Sequence, residues 1–278
     1  MTDPEVLIKM AEHFSVAGNR EDVASRLAAQ GITADNATPE RLAQFDQLHI
    51  GGLPVTAKLV RQAAIAANHV VLDAGCGMGG AARYMAQTIG CEVYGIDMAQ
   101  SLLDSGELLN EMTGVSDRVH LGLGDVTDID HPDGFFDVAW TQHAAQSVPD
   151  KEQFFAELYR TLKPGGRCVM HDFYRGPGEE IHYPSFLGDH SITFLIRDTA
   201  MRRLLEETGF ELLFWEDTTA AARAENATIG TAAPASKSDD GLLDYESVGE
   251  EVAELAANSV RDFDSRSVGL FEAVLRKP

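Results

Sequence analysis

Three acidic residues and a cluster of glycines carry the first chemical signal in this sequence. The run Asp73-Ala74-Gly75-Cys76-Gly77-Met78-Gly79-Gly80 follows a short apolar stretch and opens a helical pattern. Glycines at such a junction permit a tight turn and let a ligand approach the backbone closely. Gly75, Gly77 and Gly80 also satisfy the spacing of a dinucleotide fingerprint. Asp97, at the end of the next apolar stretch, would bind ribose hydroxyls with either kind of ligand. Charge separates the two. A carboxylate at position 73 would repel a pyrophosphate and attract a nucleoside bearing ammonium and sulfonium groups. Asp125, in Gly124-Asp125-Val126 after a third apolar stretch, adds an acid where an adenine amino group could be read. The competing structural readings are a strand-end cap for Asp73, a helix N-cap for Asp97 and a solvated turn for Asp125 with Asp128 and Asp130.

A second set of residues could act on a second molecule. In open parallel sheets, ligands bind beyond the carboxyl ends of the strands near the switch in strand order. Gln142 and His143 follow the fourth strand pattern, and His171, Asp172 and Tyr174 close the fifth. His143 is the candidate base or substrate hydrogen-bond partner, against a satisfied histidine packed near a helix start. Tyr174 joins it as a catalytic candidate, and Gln142 could orient either ligand. His49, His171, His182 and Tyr183 are candidate substrate contacts. Tyr174, His182, Tyr183 and Phe186 could surround a methylated ammonium by cation–π attraction, or form the packing of a lid. His171 reads equally as a buried strand residue. His49 with Gly51 and Gly52 either closes over a ligand or marks an ordinary helix break. Cys76, Cys91 and Cys168 have no metal-ligand spacing and no disulfide framework, so no metal site is expected.

Alternating elements must position these residues. Residues 1–68 read as helical, with helices over 21–30, from 39 and over 54–66. Strand patterns then cover 69–74, 91–97, 118–121, 136–141 and 166–173, separated by helical stretches at 81–88, 100–112 and 151–162. That alternation requires crossovers, hence an α/β fold with a parallel sheet covered on both faces. A helix at 198–208 leads to a strand at 210–215, and 268–275 is the last strand. The roughly fifty residues between those strands are too many for a plain connection. Residues 227–241 read as a mobile loop and 246–260 as a helix.

Composition narrows the partners. A formal charge of -22, with six lysines against sixteen arginines and no basic cluster, opposes a nucleic-acid substrate. An acid-rich, lysine-poor surface suits either a salt-rich cytoplasm or simply an acidic enzyme. No secretory signal and no run near ~20 apolar residues appears, so a membrane span is not expected and the cytoplasm is. The sequence leaves room for a homodimer.

The run 71–80, Gly95-Ile96-Asp97, Gly124-Asp125 and Leu162-Lys163-Pro164-Gly165-Gly166 together resemble the class I S-adenosylmethionine-dependent methyltransferases. The resemblance covers roughly 45–215. It implies a Rossmann-like, doubly wound seven-stranded sheet whose last strand is antiparallel, with N-terminal helices and a cap on the substrate side. Residues 1–68 would form a helical cap, and 69–278 the core, with insertions at 174–197 and 217–267. By residue match, Gly75, Gly77 and Gly79 with Asp73 would hold the methionine end of S-adenosylmethionine. Asp97 with Met98 would hold the ribose, Asp125 with Val126 the adenine, and Gln142 would complete the cofactor set. Phe45-Asp46-Gln47-Leu48-His49-Ile50-Gly51-Gly52 and Trp140-Thr141-Gln142-His143 are similar to the sarcosine/dimethylglycine methyltransferase group. That likeness implies a small-molecule acceptor, with an amine nitrogen of the glycine, sarcosine or dimethylglycine type leading. O-, S- or C-methylation of another metabolite is the alternative, an NAD-dependent oxidoreductase a remote one, and a non-catalytic binding protein a third.

Overall fold

Seven strands form one sheet in the order β3-β2-β1-β4-β5-β7-β6. The structure is a computed structural model and describes residues 9–10, 19–185, 187–188, 190–231 and 249–278. β1 (Val70–Ala74), β2 (Glu92–Asp97), β3 (Val119–Leu123), β4 (Phe136–Gln142) and β5 (Leu162–Arg175) run parallel. β6 (Glu211–Asp217) lies at the edge, and β7 (Val268–Arg276) enters antiparallel between β5 and β6. The expected seven-stranded Rossmann-like sheet with an antiparallel last strand is therefore present. The order reverses between β1 and β4, which is where the loops after those strands diverge and leave a crevice.

Helix starts follow the sequence closely. α1 (Arg20–Ala29) begins where the Asn19 side chain accepts the N–H of Glu21 and Asp22. α2 (Pro39–Asp46) begins with Thr38 capping Arg41 N and proline in the first turn. α3 (Gly52–Gln62) precedes β1, and α4 (Gly80–Thr88) and α5 (Gln100–Thr113) follow β1 and β2. α6 (Lys151–Thr161) is capped by Asp150, whose carboxylate accepts Gln153 N–H. α7 (Asp198–Thr208), α8 (Thr219–Thr231) and α9 (Gly249–Asp264) complete the described helices. Residues 227–231, expected as loop, are the end of α8; the rest of that expected loop, 232–241, lies outside the described residues.

Alternation along the strands divides the core into two layers. Leu72, Ala139 and Met170 face Phe154, Phe155 and Leu158 of α6. Val71, Trp140 and Val169 face Leu59 and Val60 of α3 and Ala82 and Met85 of α4. Burial of both faces is what a parallel sheet requires. A buried ion pair between Arg83 of α4 and Asp46 of α2, Nη2 to Oδ2 at 2.9 Å, ties the N-terminal helices to the sheet cover. Arg83 also donates to Gly106 O and Asn110 Oδ1. Among the described residues, no helix is long and apolar enough to cross a membrane.

Candidate active site

A cavity of about 340 Å³ opens beyond the carboxyl ends of β1, β2, β3 and β4. One half is built by the loops after the first three strands, with Gly75, Gly77, Asp97, Met98, Asp125 and Val126 in its wall. The glycine turn reaches this position because Gly75 has φ 79° and its N–H donates to Ile96 O at 2.9 Å. A Cβ on Gly75 would stand 2.4 Å from Ala144 Cβ, so only glycine lets the β1 and β4 loops meet. Asp97 braces the turn: Oδ2 accepts Gly77 N–H at 2.8 Å and Oδ1 accepts Ala99 N–H at 2.9 Å. Asp125 Oδ1 accepts from Thr127 N and Oγ1, which fixes the third loop.

Asp73 and Gly79 do not line the cavity. Asp73 is buried beneath the turn, at 3 % exposure. Burial, then the neighbouring Asp97 charge, pushes its carboxyl up to about 7. Asp73 Oδ2 has no hydrogen-bond partner. Gly79 serves the backbone: at φ 75° it is the N-cap of α4, and a Cβ there would press on Leu121 and Arg83. A buried carboxylate with an unpartnered oxygen, Asp73, and a half-buried one in the wall, Asp97, fit a ligand that carries positive charge and would repel a diphosphate.

The other half of the cavity comes from the loop after β4. His143 has φ 53° and donates its N–H to His171 O at 2.8 Å, which turns the chain sharply out of the strand. The loop then forms one turn of 3-10 helix, Ala145–Ser147, before α6. Asp172 and Lys151, both buried, fasten this turn. Asp172 Oδ2 accepts Ala145 N–H at 2.7 Å and Oδ1 accepts Gln146 N–H at 3.2 Å. Lys151 Nζ donates to Ala145 O and Val148 O, each at 2.7 Å. Burial raises Asp172 to about 6 and lowers Lys151 to about 8. Gln142, His143, Gln146, Ser147, Val148 and Pro149 line the cavity, joined by Leu48 and Ser185. The positions 144–149 were not read as site residues; the sequence placed only a helix over 151–162 after them.

Three imidazoles meet behind this wall. The His143 ring centroid lies 4.9 Å from that of His171 and 5.8 Å from that of His49. Burial holds all three below the usual histidine range, His49 at about 4. They are neutral at physiological pH. His143 alone of the three reaches the cavity, so His49 and His171 pack behind it and do not line the wall as expected. Gln142 Oε1 accepts from Trp140 Nε1 at 3.0 Å, which pins its amide beside His143.

Tyr174, expected as a catalytic group, faces elsewhere. β5 continues to Arg175, so alternation puts Tyr174 on the face opposite His171. Its ring lies over Gly269 of β7, and its hydroxyl donates to Asp217 Oδ2 of β6 at 2.7 Å. His182 is also drawn away from the cavity: its N–H and Nδ1 both engage Asp262 Oδ1 of α9. Tyr183 packs with the cluster of Phe173, Leu187 and Phe263. The expected aromatic cage is thus not assembled among the described residues, and Phe186 lies outside them.

Residues 72–170 match the family described as a methyltransferase domain, and the resemblance carried by the motifs stands for that stretch. The chain is 39 % identical over 100 residues to a probable tocopherol O-methyltransferase, chloroplastic, of Oryza sativa subsp. japonica, covering 36 % of this chain and 28 % of that protein. It is 31 % identical over 171 residues to phosphoethanolamine N-methyltransferase 3 of Arabidopsis thaliana, covering 61 % and 34 %. The chain spans less than half the length of the curated relatives it matches. Its fold is shared with a Galdieria sulphuraria structure assigned as a sarcosine dimethylglycine methyltransferase, at TM-score 0.69 and 20 % identity over 81 % of this chain and 86 % of that one. Other solved proteins of this fold, at similarly low identity, hold S-adenosylmethionine or S-adenosylhomocysteine.

Proposed function

We propose that this chain is an S-adenosylmethionine-dependent methyltransferase acting on a small molecule. The observation that carries this reading is the division of one cavity into an acidic, glycine-turned half and an uncharged half headed by His143. Gly75 and Gly77, with Asp73 beneath them, would hold the methionine end. Asp97 and Met98 would hold the ribose, Asp125 and Val126 the adenine, and Gln142 the junction between the two halves. S-adenosylmethionine supplies a methyl group already activated on sulfur. The protein's task is then alignment and exclusion of water. The neutral imidazole of His143 is suited to accept a hydrogen bond from the nucleophile. The N-terminal helices and the segments 174–197 and 217–267 would cover the acceptor side.

For the acceptor, an amine nitrogen of the glycine, sarcosine or dimethylglycine type is supported by the likeness of residues 45–52 to that group and by the phosphoethanolamine relative. A second reading, methylation of a neutral hydroxyl, is favoured by the uncharged wall around His143 and by the tocopherol relative. Incubation with methyl-labelled S-adenosylmethionine and a panel of amines and alcohols tests both. Calorimetry with S-adenosylhomocysteine and NAD tests the cofactor: tight NAD binding without S-adenosylhomocysteine binding would overturn the methyltransferase reading.

A further inference from the structure

The acceptor half of the cavity has no formal charge on its described walls. Leu48, Gln146, Ser147, Val148, Pro149 and Ser185 surround the space next to His143. Among the described residues that line the cavity there is no lysine or arginine, and its carboxylates, Asp97 and Asp125, stand on the nucleoside half. The two lysines in the neighbourhood are engaged elsewhere. Lys58 Nζ is paired with Glu216 and Glu272 at 2.6 and 2.7 Å, and Lys151 Nζ supports the 3-10 turn from behind. Outside the described residues the sequence holds one lysine, Lys237, and no arginine.

Among the described residues that line this half, a carboxylate or phosphate drawn out of water would meet no cation, and an ammonium would meet neither a carboxylate nor an aromatic cage. Either would bear its desolvation cost uncompensated. Neutral polar groups, by contrast, are well provided for. Gln142 Nε2, His143 Nε2, Gln146 Oε1 and Ser147 Oγ are buried atoms of lining residues, and none has a hydrogen-bond partner. Gln146 and Ser147 are 2 % and 3 % exposed. These unpartnered neutral groups lie within the wall formed by lining residues, beside apolar Leu48, Val148 and Pro149, and an uncharged molecule with hydrogen-bonding groups suits such a wall.

We propose that the acceptor is an uncharged molecule with an apolar body, and that its nucleophile is a hydroxyl hydrogen-bonded to His143. This rests on the methyltransferase reading and narrows it, setting aside amino-acid and phospho-amine acceptors. The test is calorimetry on the full chain loaded with S-adenosylhomocysteine, titrated with p-cresol, p-toluate and 4-methylbenzylamine, which share one apolar skeleton. p-Cresol should bind at least roughly tenfold more tightly than either charged analogue. Ser147→Ala should weaken p-cresol several-fold and leave the charged pair unchanged. Equal or tighter binding of p-toluate or 4-methylbenzylamine would overturn the proposal, as would no binding of p-cresol. Failure to bind S-adenosylhomocysteine in the first step would strike the methyltransferase reading instead.

Discussion

Asp172 and Lys151 clasp the same turn from opposite chemical sides. The carboxylate takes the backbone N–H groups of Ala145 and Gln146, while the ammonium takes the carbonyls of Ala145 and Val148. The wall that faces the acceptor is therefore held by charges that never touch the cavity.

Asp172→Asn removes the carboxylate and leaves the Lys151 ammonium buried without its counter-charge. The two side chains act on each other through space without a direct ion pair, so the expected cost is that of hydrogen bonds to a charged group, about 1.5–3 kcal/mol. Urea denaturation should show a loss of that size. A change within about 0.5 kcal/mol, the range of an ordinary surface substitution, would mean the pair does not hold the turn.

Asp73 links cofactor binding to pH. Its carboxyl titrates at about 7 in the free protein, because burial and Asp97 oppose ionisation. A bound ammonium or sulfonium favours the ionised form, so affinity for S-adenosylmethionine should rise as pH climbs through about 7, and binding near that pH should release a proton. Calorimetry in buffers of different ionisation heat measures the release. Folding has the opposite trend. Above the unfolded value of about 3.9 the native state holds the extra proton, so stability from this group falls as pH rises toward 7. Asp73→Asn should abolish both dependences, raising Tm of the free protein while weakening cofactor binding through the loss of a nearby negative charge, by about 1 kcal/mol.

His143→Asn tests the one imidazole that reaches the cavity. Asparagine tolerates the left-handed backbone that His143 adopts, so the fold should persist. Acceptor turnover, kcat/KM, should fall by roughly a hundredfold, within the range of a lost general base. S-adenosylhomocysteine affinity should hold. An unchanged kcat/KM would remove His143 from the chemistry.

Tyr174→Phe is the contrasting case. The substitution deletes the hydroxyl's hydrogen bonds to Asp217 of β6 and to Thr219. It should cost about 1 kcal/mol of stability and leave turnover intact. A large loss of turnover with normal stability would return Tyr174 to the active site.

The cofactor half was legible because its chemistry is local. Acids and glycines at strand ends announce both the turn and its charge preference, and Asp97, Met98, Asp125 and Val126, expected as cofactor contacts, line the cavity. Tyr174 misled because the strand pattern stops at Phe173. Two further residues of β5 decide which face Tyr174 takes. His182 and Tyr183 depend on α9, some eighty residues away, and no spacing in the sequence reveals that contact. α8 was not read as an element, and its last residues, 227–231, fell in the stretch read as a mobile loop; Ala222 and Asn226 are buried on it. The wall 144–149 has no motif at all. Its shape comes from Asp172 and Lys151, which look like an ordinary strand residue and an ordinary helix residue.

The sheet also dictates an order of assembly. β6 is made before β7 yet bonds to no other strand, so Glu211–Asp217 waits, half-built, until Val268–Arg276 has been synthesised. During that interval the outer edge of β5 is open as well. A ribosome paused over the intervening codons would leave two bare strand margins exposed at once, the condition under which nascent chains stick to one another.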